Sequence, residues 1–506
     1  MLESVDYLLD RLTMYRLVFY YLLVLVAAAT VFSWFNVLHF SALHVVASAA
    51  YIFVVCWMTN KIFAWGFDVP ANIESTYITA LILALIITPL HVPHDLLFLT
   101  AASGLAISSK YILTIRGRHI FNPAALAVAL TALGAHQTAS WWVGTSAMAP
   151  LVLTGGLLVV RKLRCSGMVA SFLAAAIVST AALNLMHHAS LTANLKSTLL
   201  HSSLLFLAFV MLTEPRTSPS TTKRKIIYGA LVGLLFPPQM HLGSLYSTPE
   251  LALLAGNVFA YLVTTSPNLL PRFNSREITA PDSLDFVFTP DRPVQYQPGQ
   301  YMEWTLPHQN TDSRGNRRYF TLASSPTEKD LRIGVKFYDK GSSFKRAMIN
   351  LDHAVPISAG HLGGDFVLPS DQSQKLAFIA GGIGVTPFRS MVKYLVDKDQ
   401  RRDITLLYSE KNPRQFAYRS VFRQARHQLG IKTLYTLSEP SAVPGDWSGE
   451  TGRISAALIK KTIPDYRERT FYVAGPQPMV KRVKRSLLTL GVPHRQIKTD
   501  FFPGYA

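Results

Sequence analysis

A short apolar run, Leu376 to Ala380, leads into a glycine-rich turn and then into the start of a helix. Such a run is typical of a parallel strand buried on both faces. Glycine lacks the side chain that would keep a phosphate from the backbone, and the free amides of a helix N-terminus attract anions. The turn therefore predicts a site for a dinucleotide pyrophosphate. We assign to it Gly381, Gly382, Gly384, Thr386 as the helix N-cap, and Pro387 as the first helical residue.

Two further segments carry groups suited to the same chemistry. About fifty residues upstream lies Arg318-Tyr-Phe-Thr-Leu-Ala-Ser324, and about ninety residues downstream lies Tyr472-Val-Ala-Gly-Pro-Gln-Pro-Met479. In this order and spacing the three segments resemble the ferredoxin–NADP reductase family, over roughly residues 274 to 506. The resemblance implies an FAD-binding antiparallel β-barrel followed by an α/β doubly wound nucleotide-binding domain.

The resemblance also implies roles for individual residues. Arg318 would bind the FAD pyrophosphate, Phe320 would pack on the isoalloxazine, and Thr321 would donate to flavin N5. A second phosphate cradle from Gly341 to Ser343 would favour FAD over FMN. Alanine at 474 replaces the family's usual cysteine beside the nicotinamide. The cofactor-binding residues, besides those of the glycine turn, are Arg318, Tyr319, Phe320, Thr321, Val335, Lys336, Gly341, Ser342, Ser343, Ala474, Gly475 and Pro476.

The last residues of the sequence are acidic and aromatic, and relatives place such residues over the flavin. The candidates are Asp500, Phe501, Phe502 and Tyr505. We assign catalytic roles to Thr321, Asp500 and Phe502, with packing of the aromatic end against the barrel as the alternative.

The segment from Tyr408 to Phe416 follows the second predicted strand of the nucleotide domain, where a ribose or its 2′-phosphate is recognised. Glu410 would suit NADH, whereas Ser409, Lys411 and Arg414 would suit NADPH. The sequence therefore leaves the choice between NADH and NADPH open.

The first half of the 506-residue chain has a different composition. Hydrophobic residues make up 49% of the whole and charged residues 16%, and the apolar residues concentrate before about residue 270. Many of the apolar runs are long enough to cross a hydrocarbon core of about 30 Å. We predict ten membrane helices near 16–35, 41–63, 75–91, 94–115, 121–134, 140–161, 168–187, 197–213, 226–240 and 250–266.

Together these patterns predict a multidomain protein. Its parts are a polytopic α-helical membrane domain (1–266), a linker (267–273), an FAD-binding β-barrel (274–370) and an NAD(P)-binding α/β domain (371–506). The strands of the last domain are expected at 376–380, 404–408, 432–437 and 471–474.

Basic residues predict the orientation of the membrane domain. They concentrate on alternate connections, with little beyond Lys196 on the opposite ones. By the positive-inside rule, the N-terminus and the reductase half lie in the cytoplasm, in a bacterial inner membrane. The basic residues concerned are Lys61, Lys110, Arg116, Arg118, Arg161, Lys162, Arg164, Arg216, Lys223, Arg224, Lys225 and Arg272.

Much of the net charge of +19 is attributed to these topological residues, and its expected role is attraction to anionic lipid head groups. No nucleic-acid motif accompanies it, so nucleic acid is not an expected partner. Cys56 and Cys165 are too few for an iron–sulfur cluster, and no metal site is predicted.

Two segments of the membrane half are similar to a second family. Arg118-His-Ile-Phe-Asn-Pro-Ala124 and Phe209-Val-Met-Leu-Thr-Glu-Pro-Arg-Thr-Ser-Pro219 resemble the RnfD membrane protein of Rnf electron-transport complexes and its counterpart in the sodium-pumping NADH:quinone reductase, over about residues 75 to 266. That family carries FMN on a threonine, where Ala149 stands here. Covalent FMN is therefore not expected, sodium pumping cannot be inferred from the resemblance, and a non-covalent second flavin in the membrane domain stays open.

Asn122-Pro123 and Glu214-Pro215 interrupt apolar segments. An ionisable residue at membrane depth marks a functional site by default. Helix caps at the cytoplasmic surface are an equally acceptable interpretation.

These observations predict a membrane-bound NAD(P)H-dependent flavoprotein oxidoreductase. It would pass electrons from FAD to a non-covalent flavin, a quinone, or an iron–sulfur or flavin protein. One alternative is a transmembrane ferric reductase or oxidase with haem held by histidine pairs, although the histidines fall mostly at predicted helix ends. Another is a transporter whose reductase half senses redox state.

Overall fold

The chain forms two compact units, Met1–Pro267 and Asn268–Ala506. The computed structural model describes residues 5, 9, 12–67, 73–91, 95–115, 118–188, 190–264, 268–312, 314–338, 341–439, 441 and 443–502, with only the backbone of Arg118, Phe501 and Phe502. Arg116 and Tyr505, which the sequence analysis singled out, lie outside the described residues.

The first unit is helical, and the described helices fall in the predicted apolar segments. They are Met14–Trp34, Ala42–Gly66, Ile73–Ile86, Asp95–Ile112, Pro123–Ala135, Ala149–Leu163, Ser166–Met186, Leu191–Leu200, Leu204–Phe206 continued by a π-helical turn Leu207–Met211, Thr222–Leu235, and Pro249–Val263. Two-residue strand pairs, Thr114–Ile115 with Arg118–His119 and His241–Leu242 with Leu245–Tyr246, close two of the connections.

Not all of these helices are long enough to cross a membrane alone. Among the described residues, three helices are long and apolar enough to cross a membrane: Met14–Trp34, Ala42–Gly66 and Ser166–Met186. The bent pair Leu191–Leu200 and Leu204–Met211 adds a fourth if it is one span. At 1.5 Å per residue, a helix such as Pro123–Ala135 is only about 20 Å long. The structure thus confirms an apolar helical unit but not the predicted ten spans.

Glycines bring two helices of this unit into close contact. An added Cβ at Gly229 would lie 2.2 Å from the Met168 carbonyl oxygen, and one at Gly233 would lie 2.4 Å from that of Phe172. The helix Thr222–Leu235 therefore packs backbone to backbone on Ser166–Met186. This is the small-residue spacing by which membrane helices associate.

The second unit begins with two three-stranded antiparallel sheets. The strands are β1 (Arg272–Ala280), β2 (Ser283–Thr289), β3 (Tyr301–Thr305), β4 (Arg317–Thr321), β5 (Leu331–Lys336) and β6 (Ser358–Gly363). The sheets have the orders β1-β2-β5 and β6-β3-β4. A single bridge between Leu322 and Ile333 links β4 to β5. The described residues therefore show two linked sheets, and the closure of a barrel remains a prediction.

The remainder forms one six-stranded parallel sheet. Its strands are β7 (Leu376–Gly381), β8 (Ile404–Glu410), β9 (Lys432–Leu437), β10 (Glu450–Thr451), β11 (Thr470–Pro476) and β12 (Ile497–Phe502), in the order β10-β9-β8-β7-β11-β12. All four strands expected from the sequence are present. From β7 the chain continues through β8, β9 and β10 on one side of the sheet, and then returns to place β11 and β12 on the other side of β7. The end of β7 is therefore a topological switch point.

Alternate residues of β7 point to separate apolar cores, as expected for a sheet covered on both faces. Phe378 packs in the core with Phe388 and Phe422, whereas Ile379 packs in the core with Val483. The helices Thr386–Asp397 and Arg419–Leu429 cover one face, and Ala456–Thr462 and Gln477–Thr489 cover the other. This arrangement confirms the doubly wound fold.

Charge is distributed differently from the sequence-based expectation. After residue 267 the chain carries 35 lysines and arginines against 22 aspartates and glutamates, which is +13 of the net +19. Most of the positive charge therefore belongs to the second unit rather than to the connections of the membrane helices.

Candidate functional site

The glycine turn lies at the carboxyl end of β7, where it passes into the 3-10 helix Gly382–Val385 and then the helix Thr386–Asp397. The predicted cap is displaced by one residue. Val385 is the N-cap, and Thr386 is the first helical residue, whose hydroxyl donates back to the Ile383 carbonyl at 3.1 Å. The cap was misplaced because the turn itself is helical, so the chain already has helical geometry before Thr386.

The three glycines of the turn have different roles. A Cβ on Gly381 would lie 2.0 Å from the Met479 sulfur, and one on Gly384 would lie 2.4 Å from the Gly475 Cα. These two glycines therefore let the turn pack on the end of β11. Gly382 has φ +56, and the nearest atom to its Cβ position is a Glu410 carboxylate oxygen at 4.0 Å. Of the three, Gly382 is the one whose missing side chain leaves space for a ligand.

The predicted nicotinamide residues lie at the end of β11, beside β7. Ala474 is buried and pairs in register with Ala380 on one side and with Asp500 on the other. Gly475, with φ +155, approaches the Gly381 carbonyl oxygen. Asp500 therefore lies one strand away from the alanine that replaces the family's cysteine. Phe502 pairs with Pro476 through its backbone, and its side chain is outside the described part.

The predicted flavin residues lie on β4. The Arg318 guanidinium lies 5.2 Å from the Phe344 ring centroid, and the Phe320 ring lies 5.9 Å from the same ring. Arg318 and Phe320 thus share one face of the strand. A guanidinium nitrogen of Arg318 donates to the carbonyls of Arg314 and Arg317, both at 2.6 Å. Tyr319 points the other way and is 37% exposed.

The Thr321 hydroxyl is buried and has no hydrogen-bond partner among the described residues. A buried hydroxyl without a partner costs free energy, about 1–3 kcal/mol in mutational data, unless a ligand satisfies it. The hydroxyl therefore fits the predicted role of donor to a flavin nitrogen.

One amide of the predicted second phosphate cradle, that of Ser343, already has a partner within the protein. The Ser343 amide donates to the Asp312 carboxylate at 2.9 Å, and the Ser343 hydroxyl contacts His308 Nε2 at 3.0 Å. The Ser342 hydroxyl caps the amide of Lys345. Burial raises the pKa of Asp312, but the amides of Ser343 and Arg314 outweigh it and lower the pKa below its usual value. A phosphate could meet the Ser343 amide only if Asp312 moved.

The two residues predicted at the end of β5 face different surroundings. Val335 packs in the apolar core of the small sheets. The Lys336 ammonium lies 3.2 Å from Asp282 and 3.5 Å from Glu410. Burial alone would lower the pKa of Lys336, but Glu410 and Asp282 together raise it. Burial raises the pKa of Glu410 to about 7, with the Asp282 charge adding to the shift and Lys336 opposing it.

Direct hydrogen bonds connect the segment that follows β4 to the helix that follows the glycine turn. Arg389 donates to the Ala323 carbonyl at 3.0 Å and pairs with Glu328, and the Ser390 hydroxyl donates to the Ser324 carbonyl at 2.6 Å. The chain segment that carries Thr321 is therefore fixed relative to the dinucleotide turn.

The first unit contains a polar cluster at the two predicted helix breaks. The Asn122 amide donates to the Glu214 carboxylate at 2.8 Å, and His119 Nε2 lies 3.8 Å from the same carboxylate. Asn257 accepts from the Asn122 backbone amide and donates to the Tyr228 hydroxyl at 3.1 Å. The Asn122 side chain also caps the helix Pro123–Ala135. Asn122 is therefore a helix cap that also belongs to a cluster centred on Glu214, while a functional role for the cluster and its position at the cytoplasmic surface stay predictions.

Sequence reasoning missed several residues that the structure places at these sites. Asp312 gave no signal, because its partner Ser343 is about thirty residues away in the chain. Asn257 could have been noticed as a single amide in the apolar helix Pro249–Val263. Glu250 starts the same helix and accepts from the Trp141 indole at 3.2 Å, so a second buried acid was also detectable.

Two family models match separate parts of the chain. The NQR2, RnfD, RnfE family matches residues 131–267, and the oxidoreductase NAD-binding domain matches residues 378–485. The first match lies in the helical unit, and the second covers most of the six-stranded sheet. Both agree with the resemblances drawn from the motifs.

Three similar proteins each match less than half of the chain. The glycine betaine monooxygenase reductase subunit of Chromohalobacter salexigens is 28% identical over 214 residues, 42% of this chain and 57% of that protein. The flavohemoprotein of Rhodopirellula baltica is 26% identical over 218 residues, 41% of this chain and 53% of that protein. The chain thus spans little more than half the length of these relatives. The solved FAD/NAD-binding domain of nitric oxide dioxygenase from Vibrio cholerae is 21% identical, covers 46% of this chain and 98% of that chain, and has a TM-score of 0.41.

Proposed function

We propose that the protein is a membrane-bound NAD(P)H-dependent flavoprotein oxidoreductase. FAD, when bound, would take a hydride from NADH or NADPH and pass electrons singly to an acceptor in or near the membrane unit. The observation that carries the proposal is the unpartnered, buried Thr321 hydroxyl. Thr321 ends the strand that leads into Ala323 and Ser324, whose carbonyls accept hydrogen bonds from the helix of the dinucleotide turn.

Other residues of the second unit suit the two ligands. Gly382 leaves space at the turn for a pyrophosphate, and Phe320 offers an apolar face on the same strand as Thr321. Asp500, one strand beyond Ala474, would lie near the nicotinamide. The protein's contribution is to hold the nicotinamide and the flavin about 3–3.5 Å apart in a reactive orientation.

An anaerobic titration of the detergent-purified protein with NADH and NADPH, followed by absorption spectra, tests the proposal. Bleaching of the flavin band by about one hydride equivalent per chain is the expected result. More than one equivalent with a flavin-only spectrum would add a second flavin in the membrane unit. No bleaching by either dinucleotide would overturn the proposal, and a reducible Soret band would replace it with the haem alternative.

Substitution of Thr321 tests the residue that carries the proposal. Thr321→Val removes the hydroxyl and keeps the shape, so flavin reduction should slow about tenfold or more, equal to about 1.4 kcal/mol or more of barrier. The thermal midpoint of the cofactor-free protein should not fall, because that hydroxyl bonds to no described residue. Thr321→Ser should retain most of the rate. Equal rates of flavin reduction in the unaltered protein and both variants would show that Thr321 has no role in the reaction.

We further propose that the shorter apolar helices also lie within the membrane and that both the N-terminus and the second unit face the cytoplasm. The concentration of lysine and arginine on alternate connections supports this orientation. Single cysteines at Lys196 and Lys225, labelled from either side of intact membranes, test it. Labelling of the two positions from the same side would contradict the orientation.

The acceptor could be a quinone or a soluble redox protein. The +13 charge of the second unit favours a partner with an acidic surface. Rates of acceptor reduction should then fall steeply with ionic strength, whereas rates with a quinone should not.

A further inference from the structure

The carboxyl ends of β8 and β9 lie side by side at the edge of the sheet that carries the glycine turn. Glu410 pairs in register with Leu437. Ser438 follows the end of β9 and donates two hydrogen bonds to the Glu410 carbonyl, from its amide at 2.8 Å and from its hydroxyl at 3.1 Å. Glu439 follows directly, so both strand ends place a carboxylate at this edge.

Glu410 faces the dinucleotide turn from a buried position. Its side chain is 5% exposed, and one carboxylate oxygen lies 4.0 Å from the place that a Cβ on Gly382 would take. Lys336 lies 3.5 Å from the carboxylate, and Asp282 lies 3.2 Å from the same ammonium. The positive charge nearest to Glu410 is therefore shared between two carboxylates.

Glu439 makes the corresponding pair on the exposed side of the edge. Its carboxylate lies 3.4 Å from the ammonium of Lys411, and both side chains are at least half exposed. Arg414, in the short helix Pro413–Gln415, is a further cation of this loop. Around these strand ends the carboxylates Asp282, Glu410 and Glu439 are thus interspersed with the cations Lys336, Lys411 and Arg414, and an added phosphate would meet carboxylates as well as cations.

We propose that this edge selects NADH over NADPH, with Glu410 and Glu439 as the specificity-determining residues. The inference rests on the proposed function, because it assigns the substrate of the same site. In doubly wound sheets, an acid after the second strand accepts hydrogen bonds from the ribose hydroxyls, whereas a 2′-phosphate is accommodated by arginine. A phosphate monoester brings about −1.5 to −2 charges at neutral pH, which these carboxylates would repel.

The two glutamates should contribute by different amounts. A buried carboxylate is poorly screened, so Glu410 should discriminate strongly at pH values above its raised pKa of about 7, where it is ionised. The exposed Glu439 acts mainly by holding Lys411, and solvent weakens such pairs. We expect kcat/KM for NADH to exceed that for NADPH by at least about tenfold in the unaltered protein.

The experiment compares kcat/KM for NADH and NADPH in the full-length, detergent-purified holoenzyme. The variants are Glu410→Gln, Glu439→Gln and the double variant. Glu468→Gln is the matched control, because Glu468 pairs with Lys375 on the exposed surface near the amino end of β7, at the opposite edge of the sheet. The NADH-to-NADPH ratio should fall a few-fold in Glu439→Gln and about tenfold or more in the double variant. It should not change in the control.

Several outcomes would overturn the inference. One is an unaltered protein that uses NADPH as well as NADH, and another is a double variant with an unchanged ratio. If Glu410→Gln lowers both kcat/KM values equally, Glu410 acts only through packing. Should Glu410→Gln fail to fold, the exposed Glu439→Gln still tests the ratio. If neither dinucleotide reduces the flavin in the unaltered protein, the proposed function itself is wrong.

Discussion

Exposed large apolar side chains distinguish the two units. Among the described residues, 39 of them lie in the first unit and five in the second. Trp34 and Trp65, at the ends of the first two long helices, are 75% and 87% exposed. In water such a surface would drive aggregation, whereas aromatic residues at helix ends suit the two membrane interfaces. The first unit is therefore built for a lipid surrounding.

The two units also differ in what they do with charge. The second unit holds most of the net charge and buries ionisable groups as pairs between its sheets, as with Arg389 and Glu328. The first unit places Glu214 in a cluster made of amide, hydroxyl and imidazole groups. The difference shows that a chain can meet the same requirement, hydrogen-bond partners for an ionisable group withdrawn from solvent, with different residue types in different solvents.

The largest effect should come from removing the acid at the centre of the first unit's cluster. Glu214→Ala leaves Asn122 and Thr217 without the carboxylate to which they donate. Each of these two buried donors left unpaired costs about 1–3 kcal/mol, so the thermal midpoint in detergent should fall by many degrees. Glu468→Ala, which breaks an exposed pair in the second unit, should leave the midpoint unchanged. Equal midpoints for the two variants would contradict the comparison.

A lysine placed on each unit's surface distinguishes the two surroundings directly. Val178 is 64% exposed near the middle of Ser166–Met186, and Ile278 is 82% exposed on β1. In a bilayer, Val178→Lys should cost about 3 kcal/mol and reduce the amount of membrane-inserted protein. Ile278→Lys, on a surface that faces water, should change stability by less than about 0.5 kcal/mol. If Val178→Lys were neutral in membranes, that helix would not face lipid.

Glycine provides a close backbone approach in both units, and a methyl group tests it in each. Gly384→Ala and Gly233→Ala both push a Cβ to 2.4 Å from backbone atoms, of Gly475 and Phe172 respectively. Each should destabilise its unit by about 1–3 kcal/mol. Gly445 has no neighbour within 4 Å of its Cβ position, so Gly445→Ala is the matched control and should be neutral in thermal unfolding.

The sequence predicted the strands of the dinucleotide sheet well, because a buried parallel strand is a short apolar run between turn residues. It also identified Thr321 through the motif, although only the structure shows that the hydroxyl is buried without a described partner. The number of membrane spans was predicted less well. Apolar runs can form short or bent helices, as at Leu191–Leu200 and Leu204–Met211, which hydropathy cannot distinguish from one straight span.

Contacts between distant residues were beyond the reach of the sequence. The pairing of Lys336 with Glu410, and of Asp312 with the Ser343 amide, depends on how loops from separate strands meet. Motifs record which residues a site has used in relatives. They do not show which of those residues already form a hydrogen bond or an ion pair with a neighbouring side chain.

The smallest effect should be a pH dependence specific to the second unit. The pKa of Glu410 is about 7 in the folded protein against 4.5 as its ordinary value. Between these values the folded state binds more protons than the unfolded state, so this group's contribution to stability falls as pH rises and levels off above 7. From pH 6 to pH 8 the loss should be about 1 kcal/mol.

The measurement is denaturant unfolding of the second unit's signal across that range, in the unaltered protein and in Glu410→Gln. The difference between the two curves isolates Glu410, because other groups titrate equally in both. The free energy of unfolding of the unaltered protein, taken relative to that of Glu410→Gln, should decline from pH 6 to pH 8. A pH-independent difference would show that Glu410 stays ionised throughout, held by Lys336. The carboxylate facing the dinucleotide turn would then carry its full charge at every pH at which the enzyme works.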